Sequence, residues 1–237
     1  MNSSFPDPGE LYAPESRLAT LIQGREVPQF ITIEGAIGVG KTTLAKRLAS
    51  SFNYEILLER AEENPFLEQF YKNKRQNALA TQLFFLFQRA QQIQEMRQQD
   101  LFSPVRIADF LIEKDMLFAK INLSEEEFKL YQQVYAQMTI DAPKPDLVIY
   151  LQAPVDTLMN RINLRGIPLE RQIDRDYIEQ LNQAYSEFFL YYDQAPLLIV
   201  NCADMDLAES DEDYLNLIDY MLNIKSGRHY LNQTIFS

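Results

Sequence analysis

Gly35-Ala36-Ile37-Gly38-Val39-Gly40-Lys41-Thr42 matches the phosphate-binding pattern G-x-x-x-x-G-K-[ST], and the apolar run Phe30-Ile31-Thr32-Ile33 stands directly before it. The glycines let backbone N–H groups come close to phosphate oxygens, Lys41 adds a mobile point charge, and the Thr42 hydroxyl suits Mg²⁺. Thr43 and the residues after it continue as an amphipathic helix whose N-terminus faces the same anion. The bland alternative is a glycine turn without a ligand; a strand before the pattern and a helix after it argue for a nucleotide phosphate instead.

Bulk properties narrow the class. With 237 residues and 46% hydrophobic content, the chain can bury one good core, or one core with a small appendage. A net charge of −12 repels polyphosphate chains, so a nucleic-acid polymer is not an expected partner. Cys202 is the only cysteine, which rules out an internal disulfide and a cysteine-based zinc site and fits a cytoplasmic location. His229, the only histidine, reads as a surface residue rather than a catalyst. The first residues lack the basic and apolar segments of a secretion signal, and no apolar stretch reaches membrane-spanning length.

Short apolar runs alternate with helical patterns along the chain. Strands are expected at Phe30–Glu34, Tyr54–Glu59, Val105–Asp109, Leu147–Gln152 and Leu197–Asn201. Helices are expected at Thr42–Phe52, Gln76–Gln98, Leu111–Ile121, Ser124–Met138, Pro154–Arg165, Tyr177–Tyr192 and Tyr214–Ile224. The order predicts an α/β fold of three layers, a parallel five-stranded sheet flanked by helices, with a helical lid. Residues 1–28, rich in proline and polar groups, read as an N-terminal extension to a single domain of residues 29–237. Ligands of such sheets sit at the carboxyl ends of the strands, so each polar residue ending a strand is a candidate for chemistry.

Glu59 closes the second strand and Asp109 the third. A carboxylate at the first position can take a proton from an attacking hydroxyl, and one at the second can serve Mg²⁺ or its water shell. Solvated strand-end acids are the competing explanation. Arg161 and Arg165 are four residues apart near a helix end, which puts both on one face, and Arg165-Gly166-Ile167-Pro168 then breaks the helix. Such arginines fit a lid closing over phosphates; a solvated basic helix end fits the same spacing.

Together these residues resemble the deoxynucleoside kinase family, in its bacterial deoxyadenosine/deoxyguanosine kinase branch, over about residues 29 to 224. The landmarks are Gly35 to Thr43, Leu58-Glu59 followed by Glu63 to Tyr71, Gln82 to Arg89, Ala108-Asp109, Leu117 to Ala119, Arg161 and Arg165 with Glu170, and Tyr191-Tyr192-Asp193. The resemblance implies ATP-dependent, Mg²⁺-assisted phosphorylation of a deoxynucleoside 5′-hydroxyl, with purines favoured. Gly35, Ala36, Ile37, Gly38, Val39, Gly40, Lys41, Thr42 and Thr43 would hold the donor, and Thr42 and Asp109 the metal. Glu59 would be the general base, Lys41, Arg161 and Arg165 would act on the transferred group, and Gln82 would read the base through its amide. Arg89 would support the 5′ end, Tyr71 and Glu170 the sugar 3′-hydroxyl, and the Phe118 ring would pack against the base. Phe84, Phe85, Phe87 and Phe118 also read as packing residues. A homodimer through the apolar face of Ala78–Ala90 is implied too, although that face would serve equally as core.

The chain departs from the family pattern at three places. Ala108-Asp109-Phe110 lacks the arginine that many relatives carry after the third strand, Ile167 stands where a second lid arginine is common, and Arg60 follows Glu59 instead of proline. Alternatives therefore remain beside a deoxynucleoside kinase: a catalytically weakened kinase fold kept for nucleotide binding or regulation, and a nucleoside monophosphate kinase. A GTPase-type switch is disfavoured, for the sequence contains no Asn-Lys-x-Asp guanine-reading motif.

Overall fold

In the computed structural model, which describes residues 14–99, 105–138 and 142–232, the chain runs α1 (Pro14–Ile22), β1 (Ile31–Gly35), α2 (Lys41–Phe52), β2 (Glu55–Leu57), α3 (Leu67–Lys72), α4 (Ala78–Gln99), β3 (Val105–Ala108), α5 (Lys114–Asn122), α6 (Glu125–Gln137), β4 (Leu147–Gln152), α7 (Val155–Arg165), α8 (Arg175–Tyr191), β5 (Leu197–Asn201), α9 (Asp211–Met221) and β6 (Arg228–Leu231). Single 3₁₀ turns lie at Ala61–Glu63 and Pro168–Gln172. All strand pairs are parallel, in the order β2-β3-β1-β4-β5-β6. The central strands are buried along almost their whole length, as a parallel sheet covered on both faces requires. From β1 the chain passes to one side through β2 and β3 and then to the other through β4 and β5. The glycine loop that follows β1 thus opens at the point where the winding reverses, where open α/β sheets bind ligands.

The expected sheet of five strands is corrected to six. Arg228-His229-Tyr230-Leu231 pairs with β5, yet only Leu231 of the four is buried, so no apolar run marks this edge strand. The Arg228 guanidinium donates to the carbonyls of Phe189, Leu190 and Tyr192 and so satisfies the end of α8. Helix α1 was also not expected. Its Leu18 and Ile22 pack against the core, and Arg25 just beyond it holds the Asp219 carboxylate at 2.7 Å and the Asp219 carbonyl at 3.0 Å. Residues 1–13 of the extension lie outside the described residues.

Two boundaries shift for reasons that matter at the site. β2 ends at Leu57 rather than Glu59, since the Glu59 N–H donates to Asp109 Oδ1 at 2.7 Å instead of a neighbouring strand. Helix α5 begins at Lys114 rather than Leu111, and the Leu111 N–H donates to the Glu34 carboxylate at 2.6 Å. Phe110 to Glu113 therefore cross the end of the sheet before the helix starts.

Candidate active site

Two glycines shape the loop after β1. Gly40, the N-cap of α2, sits at φ 106°, a backbone conformation that side-chain-bearing residues rarely adopt. Gly38, at φ 84°, lies against α7, where a Cβ would meet the Leu158 carbonyl oxygen and the Ile162 side chain, each at 2.8 Å. The loop is thereby seated on the helix that leads to the lid. Lys41 bends back so that its ammonium donates to the carbonyls of Gly35 at 2.7 Å and Ala36 at 3.3 Å. Burial lowers its pKa, and the like charge of Lys114 lowers it further. The Thr42 hydroxyl donates to Asp109 Oδ2 at 2.7 Å, so one buried carboxylate joins the glycine loop to the Glu59 backbone. A hydroxyl beside a carboxylate is a hard-oxygen donor set suited to Mg²⁺, which retains waters and phosphate oxygens and needs no all-protein cage. Among the described residues no cluster of three or more carboxylate, histidine or cysteine ligands exists to hold a metal otherwise.

Across the opening stands Glu59, with both carboxylate oxygens engaged. Oε1 accepts from Arg89 Nε at 2.9 Å and also from Arg89 Nη2, while Oε2 accepts from Lys114 Nζ at 3.2 Å. Arg89 pairs at its other edge with Asp115, and Lys114 lies 3.6 Å from Glu34, the wholly buried residue before the last of β1. The result is a chain of alternating charge, Asp115, Arg89, Glu59, Lys114 and Glu34, held together beneath one cavity. Burial alone would push the Glu59 carboxyl up, but the charges of Arg89 and Lys114 outweigh it and hold the group at about 2. Glu34 also accepts from the Tyr185 hydroxyl at 2.9 Å; burial first, and then this carboxylate, keep that phenol far above its ordinary value.

The cavity between these walls measures about 830 Å³, and Gly38, Lys41, Thr42, Glu59, Arg89 and Asp109 all line it. The family model for deoxynucleoside kinases matches residues 31–224, more than half of the chain and all of the site. The chain belongs to the deoxynucleoside kinase family. It is 38% identical to deoxyguanosine kinase of Bacillus subtilis (strain 168) over 194 residues, which covers 81% of this chain and 92% of the relative. To deoxyadenosine/deoxycytidine kinase of the same organism it is 29% identical over 204 residues, covering 82% and 92%. In shape it is similar to deoxyadenosine kinase from M. mycoides with bound dATP, with a TM-score of 0.69 at 29% identity, covering 81% of this chain and 99% of that one.

Within this deoxynucleoside kinase fold, most residues singled out from the sequence converge. Ile37, Gly38, Lys41, Thr42 and Thr43 line the cavity on the donor side, with Glu59, Tyr71, Gln82, Arg89, Asp109, Phe118, Arg165 and Glu170 around the remainder. Arg165 Nη2 donates to Glu170 Oε1 at 2.6 Å, so the lid arginine and the acid expected near the sugar are paired with each other. Arg161 is placed differently. Its guanidinium donates to the carbonyls of Val39, Cys202 and Met205 at 3.1 to 3.5 Å and ties the glycine loop to the segment after β5. Ile167 lines the cavity where a second arginine is common, and Arg171 is exposed away from it. Phe87, expected to pack, is 54% exposed. Sequence reasoning missed Glu34, Lys114 and Asp115; the one available signal was a Lys-Asp pair interrupting apolar residues at the start of a helix.

The depressed Glu59 pKa sets the direction of acid sensitivity in this kinase. Unfolded, the carboxyl titrates near 4.5; folded, near 2. The unfolded chain therefore takes up this proton first, and stability present above pH 4.5 is lost as pH falls toward 2, by about 3 kcal/mol at most. Urea midpoints measured from pH 4.5 downward are expected to fall less steeply in Glu59→Gln than in the wild-type protein. Parallel slopes would show that this carboxylate does not titrate as its partners dictate.

Proposed function

We propose that the chain transfers the γ-phosphoryl group of ATP to the 5′-hydroxyl of a purine deoxynucleoside, with deoxyguanosine the leading acceptor. The observation that carries this is one cavity with a phosphate-binding loop on one wall and the Glu59 carboxylate on the other. Lys41 and the loop N–H groups hold the donor phosphates, and Thr42 with Asp109 would hold Mg²⁺, which when bound neutralises charge on the β- and γ-phosphates. Glu59 accepts the hydrogen bond of the attacking hydroxyl and then its proton. Gln82 and Arg89, seven residues apart on α4, share the helix face that lines the acceptor half. Tyr71 and Glu170 approach the same space from α3 and the lid turn, in reach of a sugar hydroxyl. Arg165 would exchange Glu170 for phosphate as the lid closes, whereas Arg161 serves by fixing the glycine loop.

An uncharged acceptor fits better than a nucleoside monophosphate. The buried cations of the acceptor wall, Arg89 and Lys114, rest on the Glu59 and Asp115 carboxylates, and that negative charge disfavours a second phosphate on the acceptor. Similarity to a deoxyguanosine kinase supports the purine preference, and the Gln82 amide can both donate to and accept from a base edge. The decisive experiment is a Mg²⁺-ATP assay across the natural deoxynucleosides and their monophosphates. Purine deoxynucleosides are expected to exceed pyrimidine ones by about tenfold or more in kcat/KM, and chelation of Mg²⁺ to abolish turnover. Faster phosphorylation of a monophosphate would overturn the assignment.

A homodimer is proposed through α4 and α6. Among the described residues, Phe87 on α4, 54% exposed, and Leu130 on α6, 48% exposed, are the large apolar side chains that these two helices leave uncovered. The rest of the expected Ala78–Ala90 face is turned inward, where Ala78, Thr81, Gln82, Leu86, Arg89 and Ala90 are buried. A cytoplasmic location is proposed as well; among the described residues no helix is long and apolar enough to cross a membrane, and the single thiol is buried.

A further inference from the structure

We propose that Lys114 is a catalytic residue of the phosphoryl transfer: its ammonium yields Glu59 Oε2 to the acceptor hydroxyl and moves onto the phosphoryl group being transferred. The proposal rests on the kinase reading above. Its starting point is the crowding of one carboxylate. Oε1 of Glu59 accepts twice from Arg89 and Oε2 once from Lys114, so a substrate hydroxyl meets a single open lone pair on Oε2 beside the Lys114 ammonium, and gains the whole oxygen only when a cation leaves.

The surroundings decide which one leaves. Arg89 is planar, approaches Glu59 through two nitrogens, pairs with the buried Asp115 on its far side, and lies 5.1 Å from the centre of the Phe85 ring. A guanidinium fixed on two sides in this way does not swing. Lys114 makes a single bond of 3.2 Å from a flexible four-carbon stem. Its other anion, Glu34, gives it little hold: the gap is 3.6 Å, and the Glu34 oxygens already accept from the Leu111 N–H, the Gly35 N–H and the Tyr185 hydroxyl. Lys114 is only 2% exposed, yet it lines the cavity, so its short path leads inward to substrate rather than outward to solvent.

In the transfer itself, the acceptor oxygen bonds to the γ-phosphorus while the bond from that phosphorus to the bridging oxygen breaks. The bridging electron pair leaves with ADP, and the hydroxyl proton passes to Glu59 Oε2, the position that Lys114 has vacated. The transferred group lies between Lys41 on the donor side and Lys114 on the acceptor side, and its equatorial oxygens carry the charge that both cations offset. The pKa of Lys41, lowered by burial and then by the like charge of Lys114, agrees with two cations facing one space. Lys114 also supplies a positive charge to a site whose sequence has no arginine after Asp109.

The test compares wild-type protein with Lys114→Met, Lys114→Gln and Lys114→Arg in a Mg²⁺-ATP assay with deoxyguanosine, with melting temperatures and calorimetric binding of nucleoside measured alongside. Lys114→Gln keeps an N–H donor for Glu59 without the charge and guards against a fold failure in Lys114→Met. Both neutral variants are expected to lose about 10²–10³ in kcat while nucleoside affinity changes less than about threefold, and Lys114→Arg is expected to recover at least about a tenth of the rate. If Lys114→Gln retains kcat within about threefold of wild type, or loses affinity in proportion to rate with no recovery in Lys114→Arg, the lysine is structural and the proposal fails. Wild-type protein that phosphorylates no deoxynucleoside would overturn the kinase reading, and this proposal with it.

Discussion

Lys41→Ala is expected to lower kcat at least about 10³-fold while leaving deoxynucleoside binding within about threefold of wild type. Lys41 is the first residue of α2 and the one lysine whose ammonium rests within the glycine loop, on the carbonyls of Gly35 and Ala36. Those carbonyls hold it in reserve: a phosphate entering the loop offers full negative charge in place of two neutral oxygens, and the short path needs only stem rotation. No neighbour substitutes for it. Lys46 lines the cavity more than a helical turn further along α2, and Lys114 stands on the opposite wall, engaged with Glu59. Burial has already lowered the Lys41 pKa, so its charge is weakly solvated and acts strongly on a nearby phosphate. Steady-state kinetics with calorimetric nucleoside binding checks this. A variant that keeps more than about a tenth of wild-type kcat would show that the loop N–H groups and Mg²⁺ carry the donor chemistry without the lysine.

What could be read in the sequence was what neighbouring residues determine together. Gly38 and Gly40 announce the phosphate loop because both adopt backbone conformations that close approach demands, and the pattern around them is contiguous. Glu59 and Asp109 were legible from their places near the ends of strands, and Gln82 with Arg89 from helical spacing once the resemblance drew attention to them. The charge network was not legible. Lys114 meets Glu59 across 55 residues of sequence and Tyr185 meets Glu34 across 151, and neither contact leaves a local pattern. A lysine followed by an aspartate at the start of a helix reads as ordinary solvated charge; the fold alone removes both from water. Strand β6 was missed for the opposite reason, since an edge strand needs no apolar run to complete its hydrogen bonds. The partners of Arg161 were not legible, because helical spacing gives a side chain's azimuth and not what it meets; here it donates to three carbonyls.

Glu59→Gln is expected to lower kcat about 10²–10⁴-fold, with the KM for ATP little changed. A carboxyl held at about 2 looks too weak a base for an alcohol, and in the resting arrangement it is. Phosphoryl transfer relaxes that requirement, because bond breaking to ADP runs ahead of bond making and the hydroxyl becomes acidic only as its oxygen joins the phosphorus. The carboxylate must first orient the hydroxyl and then receive a proton that is leaving anyway. An amide can perform part of the first task and none of the second. Arg89 can still donate to the remaining carbonyl oxygen of glutamine, but the amide N–H₂ group then faces Lys114, donor against donor, so melting temperature should fall too. Glu59→Asp separates the two effects. It keeps the charge that Arg89 and Lys114 require while withdrawing the base by about one bond length, and a rate loss there without loss of stability belongs to the chemistry. If Glu59→Gln retained wild-type kcat with an intact fold, the proton would have another acceptor in the cavity, and Asp109, whose Oδ1 already holds the Glu59 N–H, would be the next carboxylate to remove.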